Sequence, residues 1–177
     1  MESVFEKFYE NYHRDLYHFV FYMVKDKETC EDLVQEVYIN VMKSYHSYKG
    51  ESSEKTWLFS IARHITMDYF RKQKRKRKRI AEFFDWGKRG AFIRDENPLP
   101  EELTLRNEMI RNVYCYLDKC TPEQKSILIL RYIQSFSIQE TAAILNFSIS
   151  KVKTTQHRGL KVLRKYIHLE QQKGGDT

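Results

Sequence analysis

The sequence predicts an all-α protein built as two small helical domains joined by a linker. Three observations predict it. Apolar residues recur at helical spacing in both halves, no stretch alternates apolar and polar as a strand would, and the pattern breaks once in the middle. Phe5, Phe8, Tyr9, Tyr12, Leu16, Phe19, Val20 and Met23 define an amphipathic helix over residues 3–25. A second helix runs from about Lys27 to Tyr45, with Leu33, Val34, Val37 and Val41 on its inner side. The segment SYKGESSEK interrupts the pattern with Gly50 and paired serines, and Ser53 is placed to cap a third helix. That helix carries Trp57, Leu58, Ile61, Ala62, Ile65 and Tyr69 on one stripe, so Trp57 is expected in the core.

Residues 80–103 change character. Pro98, Pro100, Gly87 and Gly90 mark a linker, although Phe83, Phe84, Trp86 and Phe92 are apolar for a free tether and either fold back or dock on a partner. Helical spacing returns with Met109, Ile110, Val113 and Leu117. The segment TPEQ then starts a helix with Thr121 as cap, Pro122 in the first turn and Gln124 closing a capping box. A second box, Ser137 to Glu140, opens a short helix ending near Leu145, and a further helix begins at Ser148. The domains are therefore expected at residues 1–79 and 104–170, with a tail at 171–177.

The chain carries 31 Lys plus Arg against 24 Asp plus Glu, a net charge of +7. Eight of those cations sit within the nine residues RKQKRKRKR, 71–79, and without them the balance is 23 against 24. Charge concentrated in this way points to a polyanion met at one place; its alternative is a solvated charge block. The first residues mix charge into apolar positions, unlike a signal peptide, and no apolar run approaches a membrane span. Cys30, Cys115 and Cys120 form no zinc-like pairs and read as reduced thiols of a cytoplasmic protein. The six histidines form no ligand cluster, and neither a glycine-rich phosphate loop nor a nucleophile with a base partner is visible. Enzymatic activity and a cofactor are therefore not expected.

The segment QETAAILNFSISKVKTTQHRG has the spacing of a helix-turn-helix. Ala142 is small where two helices must cross, Asn146 tolerates the left-handed turn, and Val152 plugs the space between the helices. In the helix that follows, Val152, Gly159, Leu160 and Leu163 turn inward, while Ser150, Lys153, Thr154, His157, Arg158 and Lys161 project outward. No carboxylate occurs between Ser148 and Leu169, so the outer face offers only donors suited to phosphates and base edges.

Taken in order, CEDLVQEVYINVMKSYHSYKG, TWLFSIARHITMDYFRKQKR and FSIQETAAILNFSISKVKTTQHRGLKVLRK resemble the motifs of extracytoplasmic-function sigma factors. These are small promoter-specificity subunits of bacterial RNA polymerase. The resemblance implies that residues 1–79 form sigma region 2, whose second helix grips a coiled coil of the largest polymerase subunit. Glu28, Asp32, Gln35 and Glu36 share one face of that helix by spacing and make an acidic ridge suited to a basic partner.

The resemblance also places −10 element contacts at Tyr48, Lys49, the loop through Lys55, His64 and Asp68. An unstacked base can rest there on an aromatic or basic platform. His64 and Asp68 stand where some relatives have asparagine. The run Arg71, Lys72, Lys74, Arg75, Lys76 and Arg77 is expected to follow the DNA backbone. Residues 104–170 would be region 4, binding the flap of the second-largest subunit and reading the −35 element through Ser150, Lys153, Thr154, His157, Arg158 and Lys161. Thr155 stands where many relatives have arginine. Gly159 replaces a usual alanine, which either softens the helix or permits a close backbone approach. Implied partners are core polymerase, promoter DNA and an anti-sigma factor, often membrane-bound in this family. A helix-turn-helix regulator acting without polymerase would need a sensor or dimerisation domain, which the N-terminal half does not resemble.

Overall fold

The computed structural model describes residues 3–83 and 113–173, with side chains through Leu169. Phe84, Trp86, Phe92, Met109 and Ile110 lie outside the described residues. Helix α1, Val4–Val24, begins with a reciprocal capping box: Ser3 Oγ accepts from the Glu6 amide at 3.1 Å, and the Glu6 carboxylate accepts from the Ser3 amide at 2.7 Å. It ends at Lys25, whose backbone is left-handed at φ 57°. Helix α2, Lys27–Ser44, starts on Asp26, whose carboxylate accepts from the Thr29 amide at 2.8 Å, and decays into a 3₁₀ turn at Tyr45–Ser47.

Helix α3 spans Glu54–Phe83, with Ser53 Oγ accepting from the Thr56 amide at 3.1 Å. It runs unbroken through the basic segment and four residues past the expected linker boundary at 80. Ile80, Ala81 and Glu82 all permit helix, and Lys78 pairs with Glu82 one turn on at 3.7 Å, so nothing local stops it there.

The second half opens with a helical turn at 113–116 and a 3₁₀ turn at Leu117–Lys119. Helix α4, Pro122–Leu128, has the expected Thr121–Gln124 capping box. It widens into a π turn, Ile129–Ile133, where the Gln134 amide donates to the Ile129 carbonyl at 2.9 Å. No sequence pattern announces that turn. Helix α5, Ile138–Leu145, starts on the expected Ser137–Glu140 box and ends at Asn146, left-handed at φ 53°. Helix α6, Ile149–Lys173, completes the pair. Ala142 and Val152 are both buried between them, as a helix-turn-helix requires. Among the described residues there is no strand.

Phe8, Leu16, Phe19, Val37, Leu58 and Ala62 fill the core of the first unit; Leu117, Ile127, Leu130, Leu145 and Val152 fill that of the second. The two units do not stand apart: their buried residues form one continuous cluster. The Phe59 ring meets Phe136 edge-on at 4.9 Å, and Arg63 lies over Phe147 at 5.6 Å. At the other end of the contact, Asp118 accepts from Lys25 at 2.9 Å and from Lys125 at 2.8 Å. Burial pushes the Asp118 carboxyl up, but the two ammonium groups outweigh it and hold the group below its ordinary range. Lys125 also donates to the Met23 carbonyl at 3.3 Å, closing the C-terminal end of α1 against α4.

Gly159 is settled by packing. A Cβ built there would lie 3.1 Å from Leu128 Cδ1 and 3.4 Å from Gln124 Cβ, so the glycine lets α6 approach α4. The close-approach alternative holds. Gly159→Leu is expected to cost about 1–3 kcal/mol by overpacking this crossing, read as a lowered Tm in a thermal melt followed by circular dichroism. An unchanged Tm would mean that α6 can move away from α4 freely.

Candidate nucleic-acid interface

The recognition helix presents its donors as the spacing predicts. Ser150, Lys153, Thr154, His157, Arg158 and Lys161 are all exposed on α6, and among the described residues none of the six is held in an ion pair. The neighbouring Gln156 is occupied inward: its Oε1 accepts from Arg131 Nε at 3.3 Å and its Nε2 donates to Tyr132 Oη at 3.0 Å. Thr155 beside it is half-buried. Lys151 sits 3.4 Å above the Phe147 ring and 4.0 Å from Glu123, tying the start of α6 to α4. The outer face is thus fixed from behind and free in front.

The loop before α3 forms a hollow of about 310 Å³ lined by Ser47, Tyr48, Lys49, Glu51, Ser52 and Trp57. Tyr48 Oη donates to the Ser52 carbonyl, which closes the loop on itself. The Tyr48 and Trp57 rings lie 5.0 Å apart at 38°, and Trp57 is braced edge-on by Phe8 at 6.0 Å and Tyr45 at 6.2 Å. Trp57 packs against the core, as its stripe suggests, but only in part. It is half-buried, with part of the indole lining the hollow. The stripe assigns a helix face correctly but cannot say that a loop folds over that face.

Lys55 also departs from expectation. It points away from the hollow, pairs with Asp15 at 2.6 Å and lies 5.3 Å from the Phe136 ring, inside the contact between the two units. One to two turns further along the same side of α3, a second hollow of about 270 Å³ is lined by Asn40, Ser44, Ser60, Ile61, His64 and Ile65. His64 Nε2 stands 3.2 Å from Asp68, whose carboxylate also accepts from Arg71 Nε at 3.0 Å. The Arg71 hydrogen bond holds the Asp68 carboxyl below its ordinary range, so Asp68 presents a charged acceptor. His64, Asp68 and Arg71 act as one string along α3.

The basic run continues this helix, and Arg71, Lys72, Lys74, Arg75, Lys76 and Arg77 are exposed. Nine successive helical residues cover about two and a half turns. The cations consequently surround the helix, and the run is a rod of positive potential more than a one-sided stripe.

In the first unit, Glu28, Asp32, Gln35 and Glu36 are exposed along α2, as the ridge requires. Beside them lies an apolar groove of about 640 Å³ between α1 and α2, walled by Phe5, Tyr9, His13, Tyr38, Ile39 and Met42. Four of these walls, Phe5, Tyr9, Ile39 and Met42, are between 41% and 49% exposed, more than a solvated helix needs. His13 stacks on Tyr9 at 4.2 Å and meets Tyr38 Oη through Nδ1 at 3.2 Å. Burial pushes its imidazole pKa down, favouring the neutral ring. A signal for the groove exists in the sequence: Ile39 and Met42 fall off the Leu33–Val34–Val37–Val41 stripe. Of the thiols, Cys30 is buried with its pKa pushed up to about 12 by burial, Cys120 is buried, and Cys115 is exposed.

With this geometry, comparison with known proteins is decisive. Residues 8–76 match Sigma-70 region 2, and residues 110–163 match Sigma-70, region 4. The chain is 58% identical over 169 residues to the ECF RNA polymerase sigma factor SigX of Bacillus subtilis, covering 96% of this chain and 86% of that one. The chain belongs to the extracytoplasmic-function sigma factors. It is also 30% identical over 160 residues to the RNA polymerase sigma factor YlaC of the same organism, covering 90% of each. Among solved structures it superposes on the sigma factor RpoE of Bartonella quintana, crystallised with the anti-sigma factor NepR. The TM-score is 0.72 at 24% identity, covering 93% of this chain and 96% of that one. CnrH, solved with the cytosolic domain of CnrY, gives a TM-score of 0.66 at 17% identity over 93% and 88% of the two chains. As a sigma factor the protein is a transcription initiation factor, a promoter-specificity subunit of RNA polymerase. Region 2 occupies α1 to α3, and region 4 is the helix-turn-helix unit.

Proposed function

We propose that the sigma factor divides its work among four surfaces. The acidic ridge of α2, with the apolar wall of Ile39 and Met42 beside it, docks on the coiled coil of the largest polymerase subunit. The Tyr48–Trp57 hollow holds one unstacked base of the −10 element, with Lys49 at its rim and the His64–Asp68–Arg71 string reading beside it. The α6 face reads the −35 element. The cationic rod beyond Arg71 supplies affinity along the backbone. The observation that carries this reading is the outward face of α6: six exposed donors, no carboxylate, and a helix-turn-helix behind it with both capping boxes formed.

The protein acts in the cytoplasm, where the polymerase is, and performs no chemistry of its own; nucleotide addition belongs to the core enzyme. No helix among the described residues is long and apolar enough to cross a membrane. An anti-sigma factor, membrane-anchored as is common in this family, is its regulator; the structure of RpoE with the anti-sigma factor NepR supports regulation by such a partner. The direct test is reconstitution with core polymerase and mapping of transcript 5′ ends. The protein should co-elute with core and start RNA at defined promoters, and failure to do either refutes the reading.

Three finer outcomes follow from the surfaces. Reversing Asp32 and Glu36 to lysine should weaken assembly with core polymerase at least tenfold in a fluorescence titration, about 1.4 kcal/mol, while leaving helical content intact. Unchanged affinity would remove the ridge from the interface. Trp57→Ala should cost about 1–3 kcal/mol in open-complex formation through lost stacking, with Trp57→Phe recovering part of it. Equal loss in both variants would return Trp57 to a packing role. Changing Lys74, Arg75, Lys76 and Arg77 to glutamine should weaken binding on every promoter alike and flatten the salt dependence, by roughly 0.9 in slope per phosphate released. A changed ranking of promoter variants would make part of the rod a base reader.

A further inference from the structure

A helix seated in the major groove has flanks as well as a front. The groove is about 12 Å wide, and a helix with its side chains is about 10–12 Å across. The front therefore meets base edges, while the flanks stand against the phosphate walls. The front of α6 is filled by its six donors, and Lys151 follows on one flank. The other flank lies beyond Lys153 and is carried by Ile149, Gln156 and Leu160, none of them charged. Gln156 is turned inward, so a phosphate donor on that side has to come from a neighbouring element.

Tyr132 is that neighbour. It belongs to the π turn Ile129–Ile133, an irregularity of a kind frequent at functional sites. Its residue surface is 56% exposed, yet its hydroxyl is tied to α6 through Gln156. Chemistry fixes the direction of the hydrogen bonds around that amide. Arg131 can only donate, so its Nε takes the Gln156 carbonyl oxygen, at 3.3 Å. Its Nη1 donates to the carbonyl of buried Phe136, which anchors the guanidinium. With its oxygen committed to Arg131, Gln156 turns its NH2 group to Tyr132, 3.0 Å from Oη. An NH2 group can only donate, so the hydroxyl accepts there and keeps its own hydrogen to donate elsewhere.

We infer that Tyr132 is a further DNA-binding residue of this sigma factor, its hydroxyl donating to a backbone phosphate on the −35 groove wall beside Lys153. Arg131 and Gln156 are positioning residues that hold the hydroxyl in its donating direction. A neutral, oriented donor suits this place. It meets the phosphate of any sequence alike, and it fixes the rotation of α6 about its own axis. That rotation sets the register in which Lys153, His157 and Arg158 meet their bases. The inference rests on the assignment of α6 to the −35 element.

Holoenzyme reconstituted from core polymerase and the full-length protein provides the test. Tyr132→Phe deletes one oxygen and keeps the ring, and circular dichroism checks that the fold is kept. It should weaken promoter binding about tenfold, the size of a hydrogen bond to a charged group, and equally on all −35 sequences. The salt slope should not change, because a neutral hydroxyl releases no counterion. Each phosphate of the −35 element is then replaced in turn by a neutral methylphosphonate. The Tyr132→Phe penalty should vanish at one position on the wall facing this flank and persist at every other. Gln156→Glu tests the positioning: its carboxylate still accepts from Arg131 but cannot donate to Tyr132, so the hydroxyl turns inward. This variant should lose the sensitivity to that one phosphate although Tyr132 is present. The charge it adds weakens binding by itself, and the same change made in Tyr132→Phe measures that part. No Tyr132→Phe penalty, or one that survives every methylphosphonate, overturns the phosphate contact. A Gln156→Glu variant that keeps the sensitivity overturns the positioning role. Either failure leaves discrimination among −35 sequences intact, whereas a wild-type holoenzyme without that discrimination would sink the −35 assignment itself.

Discussion

The Phe59 ring is the point on which the rest of the structure depends. It is fully buried, lies 5.5 Å from Phe19 of α1, and meets Phe136 of the second unit at 4.9 Å. One side chain therefore belongs to two cores. Burying an aromatic ring of this size contributes a few kcal/mol, and aromatic pairs add to that through their geometry. Because Phe59 sits on α3, that helix fixes region 2, seats region 4 and aims the His64–Asp68–Arg71 string, all along one rigid axis.

Rigidity along α3 has an electrostatic consequence. The helix is apolar and clamped over its first half and cationic and exposed over its second. Like charges at adjacent turns repel, so such a run holds its helix poorly alone. Its start is anchored by packing, and helix formation propagates more easily than it nucleates. The Lys78–Glu82 pair at the far end offsets a little of the repulsion. A polyanion alongside would remove the rest. The same helix thus links base reading to backbone affinity without a joint between them.

Hydrogen bonding explains why the helix-turn-helix unit is well formed despite its small size. The Thr121–Gln124 and Ser137–Glu140 boxes each satisfy two backbone donors reciprocally, and Asn146 ends α5 in the left-handed conformation. Glu140 pays for none of this with lost charge: its carboxyl is held below its ordinary range by the Ser137 backbone and side-chain donors. The outer face of α6 is consequently free of structural duties, which is what a surface reserved for another molecule requires.

The sequence by itself determined the helices, their caps, the helix-turn-helix and both charged surfaces, because each is local. Capping boxes span three residues, helical stripes repeat every three or four, and the positions of Ala142, Asn146 and Val152 are a short-range pattern. The exposed residues of α2 and α6 follow from the same periodicity. Tertiary structure alone decided the rest. Trp57 lines a hollow because a loop folds over its stripe, and Lys55 faces Phe136 because region 4 packs there. Gly159 allows a close crossing because Leu128 approaches from another helix, and the Lys25–Asp118 pair joins residues 93 positions apart. Those contacts depend on which surfaces meet in space, and no periodicity along one helix encodes its neighbour.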